Sequence, residues 1–600
     1  MPAQRPSPRR PSTPSSLAAR LAFAAAALAA CTTFALGPST VAAQGSTDAP
    51  GAIRYDLTNE IFHPVHAMHG MVASESQLAS QVGLDVLKKG GNAVDAAVAI
   101  GFALAVTLPN AGNLGGGGFM VIHDAKGGRD TAIDFREKAP AAASRDMYLD
   151  DKGNVVANRS LYTHAAIGVP GTVAGLLYAL DHYGTRKRQE LVAPSIALAT
   201  KGYPVNEQLA LLFTAERDHL AAWPASKQVF FHGDTPLATG ERLVQKDLAK
   251  SLALISAKGA AGFYEGPVAQ AIAAESKAHG GPLTAADLKA YQVVERAPVR
   301  GTYRGYEIVS MPPPSSGGTH IVQILNILQN FPLKDWGPNS AKTIHVMAEA
   351  MKLAYADRSE YLGDPDFVKV PVRGLTSTAY ANELAKKIDL AKATPSATIR
   401  PGKPQPYESD QTTQFTVADQ WGNVVSTTYT LNFNFGSGIV APGTGILLND
   451  EMDDFSAKPG VPNGFGLIGG DANAIAPNKR PLSSMSPTIV LKDGKPWMAT
   501  GSPGGARIIT TTLQAIVDMI DFGMNPAEAG SAVRVHHQWL PDELRVERGL
   551  SPDTVALLKA MGHNVVEKPA MGKTQTIQIT PQGFFGYSDP RNPNGATLGF

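Results

Sequence analysis

The period of apolar positions changes several times along this chain, and each change marks an element. Residues 76–89 carry apolar side chains at helical spacing and are closed by Gly90-Gly91. Asn92 then caps a second, more apolar helix that runs to about Val106 and stops before Pro109. Gly115-Gly116-Gly117-Gly118 leads into Phe119-Met120-Val121-Ile122-His123, a run that predicts a buried strand. A glycine run can cradle phosphate, but this one lacks the Lys-Ser/Thr ending and enters a strand, not a helix, which excludes that use. Residues 192–361 read as mostly helical, with 345–361 an amphipathic helix. Residues 392–411 are rich in Pro, Ser, Thr and Gly without an apolar period, which predicts an exposed, flexible linker. No internal repeat is visible.

After the linker the pattern turns to β. Residues 414–418 and 424–431 are rich in β-branched and aromatic side chains, and Asp419-Gln420-Trp421-Gly422-Asn423 joins them as a turn. A hairpin centred on Trp421 pairs Thr412 with Thr430. Asn432, two residues on, then shares the face of Thr430. A slip of one residue would reverse the faces, so everything about this face depends on register. Pro503-Gly504-Gly505 opens a helix expected over 506–522.

Composition narrows the function classes. Of 600 residues, 53 are Lys or Arg and 52 are Asp or Glu, so no concentrated basic charge points to a nucleic-acid partner. The N-terminus reads as a processing segment. Arg5, Arg9, Arg10 and Arg20 precede a short apolar run at 21–30, which is too short to span a bilayer and suits a secretory leader. Val41-Ala42-Ala43 offers an ordinary signal-peptidase site. Leu28-Ala29-Ala30-Cys31 resembles a lipobox, in which Cys31 would be lipidated and anchor the protein to a membrane. Cys31 is the only cysteine, so the body of the chain holds neither a disulfide nor a thiol nucleophile. An exported protein, periplasmic or extracellular, is expected.

A threonine where a linker meets a strand has a possible chemistry. Cleavage between Gln411 and Thr412 would give Thr412 a free α-amine, with a pKa near 8, to act as general base for its own hydroxyl. Alone, such a threonine is unremarkable. Its company is not. Thr412-Thr413-Gln414-Phe415-Thr416 and Tyr429-Thr430-Leu431-Asn432 resemble the start of the small subunit of gamma-glutamyltranspeptidases. The resemblance continues through Asp453-Asp454-Phe455, Pro481-Leu482-Ser483-Ser484-Met485-Ser486-Pro487, Gly501-Ser502-Pro503-Gly504-Gly505 and Asp589-Pro590-Arg591. Upstream it includes Asp134-Phe135-Arg136-Glu137, Ala356-Asp357-Arg358 and Gly363-Asp364-Pro365.

That resemblance implies an α+β fold, the four-layer αββα sandwich of N-terminal-nucleophile hydrolases. It also implies a precursor cut into two subunits that stay together as a heterodimer. A leader at 1–43, a large subunit at 44–411 and a small subunit at 412–600 are then expected. The implied substrates are glutathione and other γ-glutamyl compounds, with water, amino acids or peptides as acceptors, and neither a cofactor nor a metal is required. Thr412 is the implied nucleophile and Thr430 orients its amine. Gly504 and Gly505 would offer N–H groups to an oxyanion. Arg136, Ser483 and Ser484 suit the substrate α-carboxylate, while Asn432, Glu451 and Asp454 suit its α-ammonium.

The chain departs from the family pattern in places. Phe465, in the lid-like loop at 459–470, stands where the family often has tyrosine, which removes a gating hydroxyl and keeps the ring. Gln414 stands where histidine is common, and Glu451 where some bacterial members have Gln. His536-His537 is not read as a metal pair, because neighbours on a strand face opposite sides and no third ligand follows. Two alternatives remain at this stage. One is a glutaryl-cephalosporin acylase, disfavoured because Glu451 and Asp454 would face an apolar methylene chain unpaired. The other is a non-catalytic surface protein on the same fold.

Overall fold

Strand alternation builds two sheets that share an apolar face. The computed structural model describes residues 60–404 and 414–600. The leader with Cys31, and the junction Gln411-Thr412-Thr413, lie outside the described residues. The strands of the two sheets are β1 (Val65–Ala67), β2 (Gly70–Ser74), β3 (Gly117–Asp124), β4 (Arg129–Phe135), β5 (Val294–Arg296), β6 (Val299–Tyr303) and β7 (Tyr306–Ser310), then β8 (Phe415–Asp419), β9 (Val424–Thr430), β10 (Thr488–Lys492), β11 (Lys495–Thr500), β12 (Gln575–Thr580), β13 (Gly583–Ser588) and β14 (Ala596–Gly599). One seven-stranded sheet runs β14-β2-β8-β9-β3-β4-β5 and the other β1-β13-β12-β11-β10-β7-β6. Within each, every neighbouring pair is antiparallel.

Side chains one apart on a strand point to opposite faces, and this separates three cores. From the first sheet, Met71, Ala73, Phe119 and Val121 meet Val309, Ile489, Ala499 and Ile577 of the second, which fills the space between the sheets. Their sequence neighbours Val72, Met120 and Ile122 face outward onto helices α1 (Gln77–Lys88) and α2 (Ala93–Thr107). On the far side, Ile308, Val490 and Met498 face α3 (Gly317–Leu328), α4 (Ala341–Tyr361) and α5 (Ile508–Ile520). Helix, sheet, sheet and helix thus form the expected αββα sandwich. None of the described helices is long and apolar enough to cross a membrane.

Local chemistry accounts for the predicted helix ends. Ser76 caps α1 through its side chain, and Asn92 and Asp95 form a reciprocal capping box at the start of α2. The hairpin register is also as predicted. Phe415 pairs with Thr427, Thr416 with Ser426, Val417 with Val425 and Ala418 with Val424, all centred on residue 421.

Three expectations are corrected. The region 192–361 is not only helical, since β5, β6 and β7 lie within it. Short strands split by Gly and Arg carry too few residues for a period to register. The helix at 345–361 is not amphipathic. α4 is buried on nearly all sides, with His345, Glu349, Lys352, Asp357 and Arg358 inside. The linker, as far as Pro404, is not loose either. The backbone N–H and hydroxyl of Ser396 both donate to Asp542, and the Ala393 N–H donates to the Met561 carbonyl. Composition records the lack of periodicity in this stretch but not the distant carboxylate that holds it.

Candidate active site

β9 delivers Thr430 to the rim of a cavity of about 580 Å³. The strand end is fixed from below. Asn113 Nδ2 donates to the Thr430 carbonyl at 2.8 Å, and Asn113 Oδ1 accepts from Gly116 N and Thr172 Oγ1. Any side chain at Gly116 would overlap that same carbonyl oxygen, so the glycine run serves close packing under the site. Thr430 Oγ1 accepts from the Asn432 N–H at 2.8 Å. Asn432 adopts a positive φ of 84° and donates its amide N–H to the Asp450 carbonyl at 3.0 Å. That bond engages its nitrogen on backbone and leaves the amide oxygen as the acceptor group.

The same cavity is lined by Glu451, Asp454, Ser483, Ser484, Gly504, Gly505 and Phe465. Glu451–Asp454 is a single 3-10 turn, so two of its carboxylates emerge together. Ser483 is tied by its backbone: its N–H donates to the Pro314 carbonyl, and its own carbonyl accepts from Ser316 N and Ser316 Oγ. Gly504 and Gly505 turn with φ of 135° and 58° into a 3-10 turn that leads to α5. Phe465 stacks on Phe433 with ring centroids 4.4 Å apart. Its loop is pinned to the acidic turn by Gly464 N, which donates to Asp453 Oδ2 at 2.9 Å.

Arg136 is the one described candidate that does not line the cavity. It is fully buried behind the carboxylates, with Nη1 donating to Glu451 Oε1 and Nη2 to Asp454 Oδ2. Its Nε donates to the Pro481 carbonyl at 3.2 Å. In this state the guanidinium organises Glu451 and Asp454 and does not present an open fork. Arg358, in the Ala356-Asp357-Arg358 motif, has a part here that the sequence did not reveal. Here Arg358 Nε donates to Ser316 Oγ at 2.9 Å and its Nη2 to Ser484 Oγ at 3.2 Å. A hydroxyl that accepts from a guanidinium turns its own proton outward, so Ser484 faces the cavity as a donor. A buried arginine on α4 beside apolar neighbours was the available signal.

Gln414 is buried in a hydroxyl network at the start of β8. Its amide nitrogen donates to Thr416 Oγ1 and Ser426 Oγ, and its oxygen accepts from Thr428 Oγ1 at 3.0 Å. His536 and His537 are both engaged in hydrogen bonds or an ion pair, with Thr510 and Gln538 for the first and Asp542 for the second.

A profile of the Gamma-glutamyltranspeptidase family matches residues 79–599. The chain belongs to this family. It is 59% identical over 567 residues to the glutathione hydrolase proenzyme of Escherichia coli strain K12, covering 94% of this chain and 97% of that protein. Among solved structures, the cephalosporin acylase from Bacillus halodurans superposes with a TM-score of 0.80 at 29% identity, over 92% of this chain and 98% of that one. The gamma-glutamyltranspeptidase of Helicobacter pylori gives a TM-score of 0.55 at 49% identity, over 57% of this chain and 97% of that one. The chain is therefore an enzyme with the γ-glutamyl hydrolysis and transfer chemistry of this family, on the N-terminal-nucleophile sandwich.

Charge in the family's pocket is unbalanced here. Glu451, Asp454 and Glu137 surround the single guanidinium of Arg136, with Glu137 Oε2 3.8 Å from Nη1. Burial pushes all three carboxyls up and Arg136 opposes the rise at each, while the charges of neighbouring acids add to it at Glu137 and Glu451. Asp453 is pushed up to about 6, again mainly by burial. The folded state therefore holds a proton that the unfolded chain releases at the ordinary carboxylate pKa. By linkage, stability is highest at the acid side and falls as pH rises from there toward about 8, the value to which Glu451 is raised. Thermal melts across this window are expected to show Tm declining for the wild type. Glu451→Gln should flatten the profile, and parallel profiles would contradict the assignment.

Proposed function

We propose that this chain is an exported, self-cleaving γ-glutamyl hydrolase and transferase acting on glutathione and related γ-glutamyl compounds, with Thr412 as nucleophile. The observation that carries this is the convergence of Thr430, Asn432, Glu451, Asp454, Ser484 and the Gly504-Gly505 turn on one cavity at the end of β9. The pairing of Phe415–Ala418 with Val424–Thr427 keeps the register on which the sequence reading of Thr412 opposite Thr430 rests, which supports this assignment. In the precursor, Thr412 Oγ attacks the Gln411 carbonyl and the peptide nitrogen leaves as an amine, giving an ester that water opens. The products are a large subunit ending at Gln411, a small subunit starting at Thr412, and a heterodimer of the two. The leader at 1–43 directs export, and lipidation of Cys31 would add a membrane anchor.

In the mature enzyme the Thr412 amine takes the hydroxyl proton as Oγ attacks the γ-carbonyl. Backbone N–H groups of the Gly504-Gly505 turn receive the developing oxyanion. The amine then hands its proton to the departing nitrogen, leaving a γ-glutamyl ester on Thr412 Oγ. Water or an acceptor amine attacks that ester, gives up a proton, and Thr412 Oγ regains one. Glu451 and Asp454, with the Asn432 amide oxygen, suit the substrate ammonium. The Ser484 hydroxyl, with Ser483 beside it, suits the α-carboxylate. Arg136 joins them once Glu451 gives way, and a protonated Glu451 is the partner most easily displaced, since it no longer pairs as an anion. Phe465 covers the pocket by its ring and offers no hydroxyl to gate it.

The overlay on a cephalosporin acylase favours a second reading, cleavage of a glutaryl chain that lacks the α-amine. The pocket's polar groups argue against it, because a glutaryl chain would leave the Asn432 amide oxygen and the carboxyls beside it without the ammonium they suit. Rates on γ-glutamyl and glutaryl anilides separate the two. A higher kcat/KM for the γ-glutamyl anilide is expected, and the reverse order would favour the acylase.

A further inference from the structure

Away from the cavity, two groups of metal-ligating side chains come together among the described residues. One is His345, Glu349 and His563, and the other is His164, Glu275 and His279. In each, the donor atoms lie within 4.8 Å of one another. Electrostatics separates the two. Glu349 is paired with the Lys352 ammonium at 2.5 Å, and both side chains are buried. That ammonium opposes a second cation and already occupies the carboxylate, so the first group is a polar cluster of the core. Glu275 has no such competitor. Its carboxylate meets both imidazoles, and among the described residues no lysine or arginine pairs with it.

The elements around this second group hold it in place. Glu275 and His279 lie one turn apart at the end of the helix Gly266–Ala278, with His279 as its C-cap residue. His164 comes from the 3-10 turn His164–Ala166, whose start is fixed by the Thr163 hydroxyl accepting from the Ala165 N–H. Gly281 passes close beside that turn, and a Cβ there would lie 2.7 Å from the His164 Cβ. The His164 side chain is 2% exposed and packed in place, whereas that of His279 is 45% exposed and opens the group to solvent. Trp223 walls one side, its ring nearly perpendicular to both imidazoles with centroids 4.9 and 5.6 Å away.

Distances decide what the group can hold. His164 Nε2 lies 3.0 Å and His279 Nδ1 3.2 Å from the same atom, Glu275 Oε1. Around a zinc-class ion, donors about 2.0–2.1 Å from the metal and about 90–110° apart are separated by roughly 2.9–3.4 Å. Both distances fall in that interval. Without an ion the same contacts serve as hydrogen bonds, and His279 Nδ1 is also 3.1 Å from the Glu275 carbonyl. An ion requires each ring proton on the other nitrogen. It also requires His279 to leave its stack on His164, where the rings are 8° from parallel with centroids 4.4 Å apart. The exposed ring of His279 has room for that turn.

We propose that His164, Glu275 and His279 form a site for one zinc-class divalent ion, with His279 closing onto it from the solvent side and water completing the coordination. Two imidazoles and one carboxylate are a donor set that this class of ion takes. None of the three residues lines the candidate active site, so the ion fastens the 3-10 turn to the helix and takes no part in the γ-glutamyl chemistry.

The test titrates Zn²⁺ into untagged protein stripped with EDTA, using the wild type and the Glu275→Gln and His279→Gln variants. Competition with a chromophoric chelator reads affinity and stoichiometry. The wild type should show one site that both variants weaken at least about tenfold, since even the loss of an outer-shell partner costs that much. Saturating Zn²⁺ should raise the Tm of the wild type and leave that of the variants unmoved. A second measurement needs no ligand variant. Cu²⁺ in this seat lies beside Trp223 and should quench its emission, a component absent from Trp223→Phe. Equal Zn²⁺ affinity and stoichiometry in all three proteins would overturn the site, as would Trp223 emission that Cu²⁺ leaves unchanged.

Discussion

Replacing Thr412 by alanine is expected to abolish γ-glutamyl turnover, by at least about 10⁴-fold, and to leave the chain uncut. In the proposed mechanism one side chain performs both reactions, so the two losses should appear together. No other group can take over easily. The only cysteine is Cys31, close to the N-terminus and far in sequence from the β8–β9 hairpin. The effect should exceed that of any residue lining the pocket, because in the proposed mechanism those residues bind or orient while Thr412 forms the covalent bond. Activity assays with γ-glutamyl-4-nitroanilide measure the first loss and gel analysis the second. A variant that is uncut yet still turns over substrate would sink the claim that the amine released by cleavage is the base.

The second large effect is expected at the glycine turn. Gly505 sits at φ 58°, and a Cβ there would lie 2.6 Å from Cδ1 and Cε1 of Phe465. Alanine at this position must therefore shift either the turn or the ring. The turn is the softer of the two, since Phe465 is held by its stack on Phe433 and by the Asn463 side chain, which accepts from its N–H at 3.1 Å. A displaced turn misaims the N–H groups proposed to serve the oxyanion, and loss of one such donor costs roughly 10²–10³ in kcat. Gly505→Ala should thus lower kcat by that amount while KM changes by only a few-fold. A variant with raised KM and normal kcat would show that the turn serves ground-state binding alone.

The residues that the sequence exposed and those it hid differ in a physical way. The hairpin register was legible because β-branched residues flank a turn whose centre, Trp421 beside Gly422, leaves one consistent pairing. Asn92 was legible as a cap because capping is a local interaction between neighbours in sequence. The chemical groups of the pocket were legible through ordered motifs, from Asn432 to the Gly504-Gly505 turn. What stayed hidden depends on contacts hundreds of residues apart. The pairing of Arg136 with Glu451 and Asp454 spans more than 300 positions, so nothing local in the sequence showed that this guanidinium also organises the two carboxyls. The role of Arg358 behind Ser484 and the hold of Asp542 on Ser396 are of the same kind. Burial of α4 on all sides likewise reflects its central place in the helical layer, which its own polar residues disguise.

Self-cleavage before Thr412 is the central claim, and the intact mass of the purified wild-type protein tests it most directly. Two polypeptides are expected, with the smaller one corresponding to residues 412–600 and beginning with a free threonine amine. A single uncut chain, or a cut at any other bond, would contradict it.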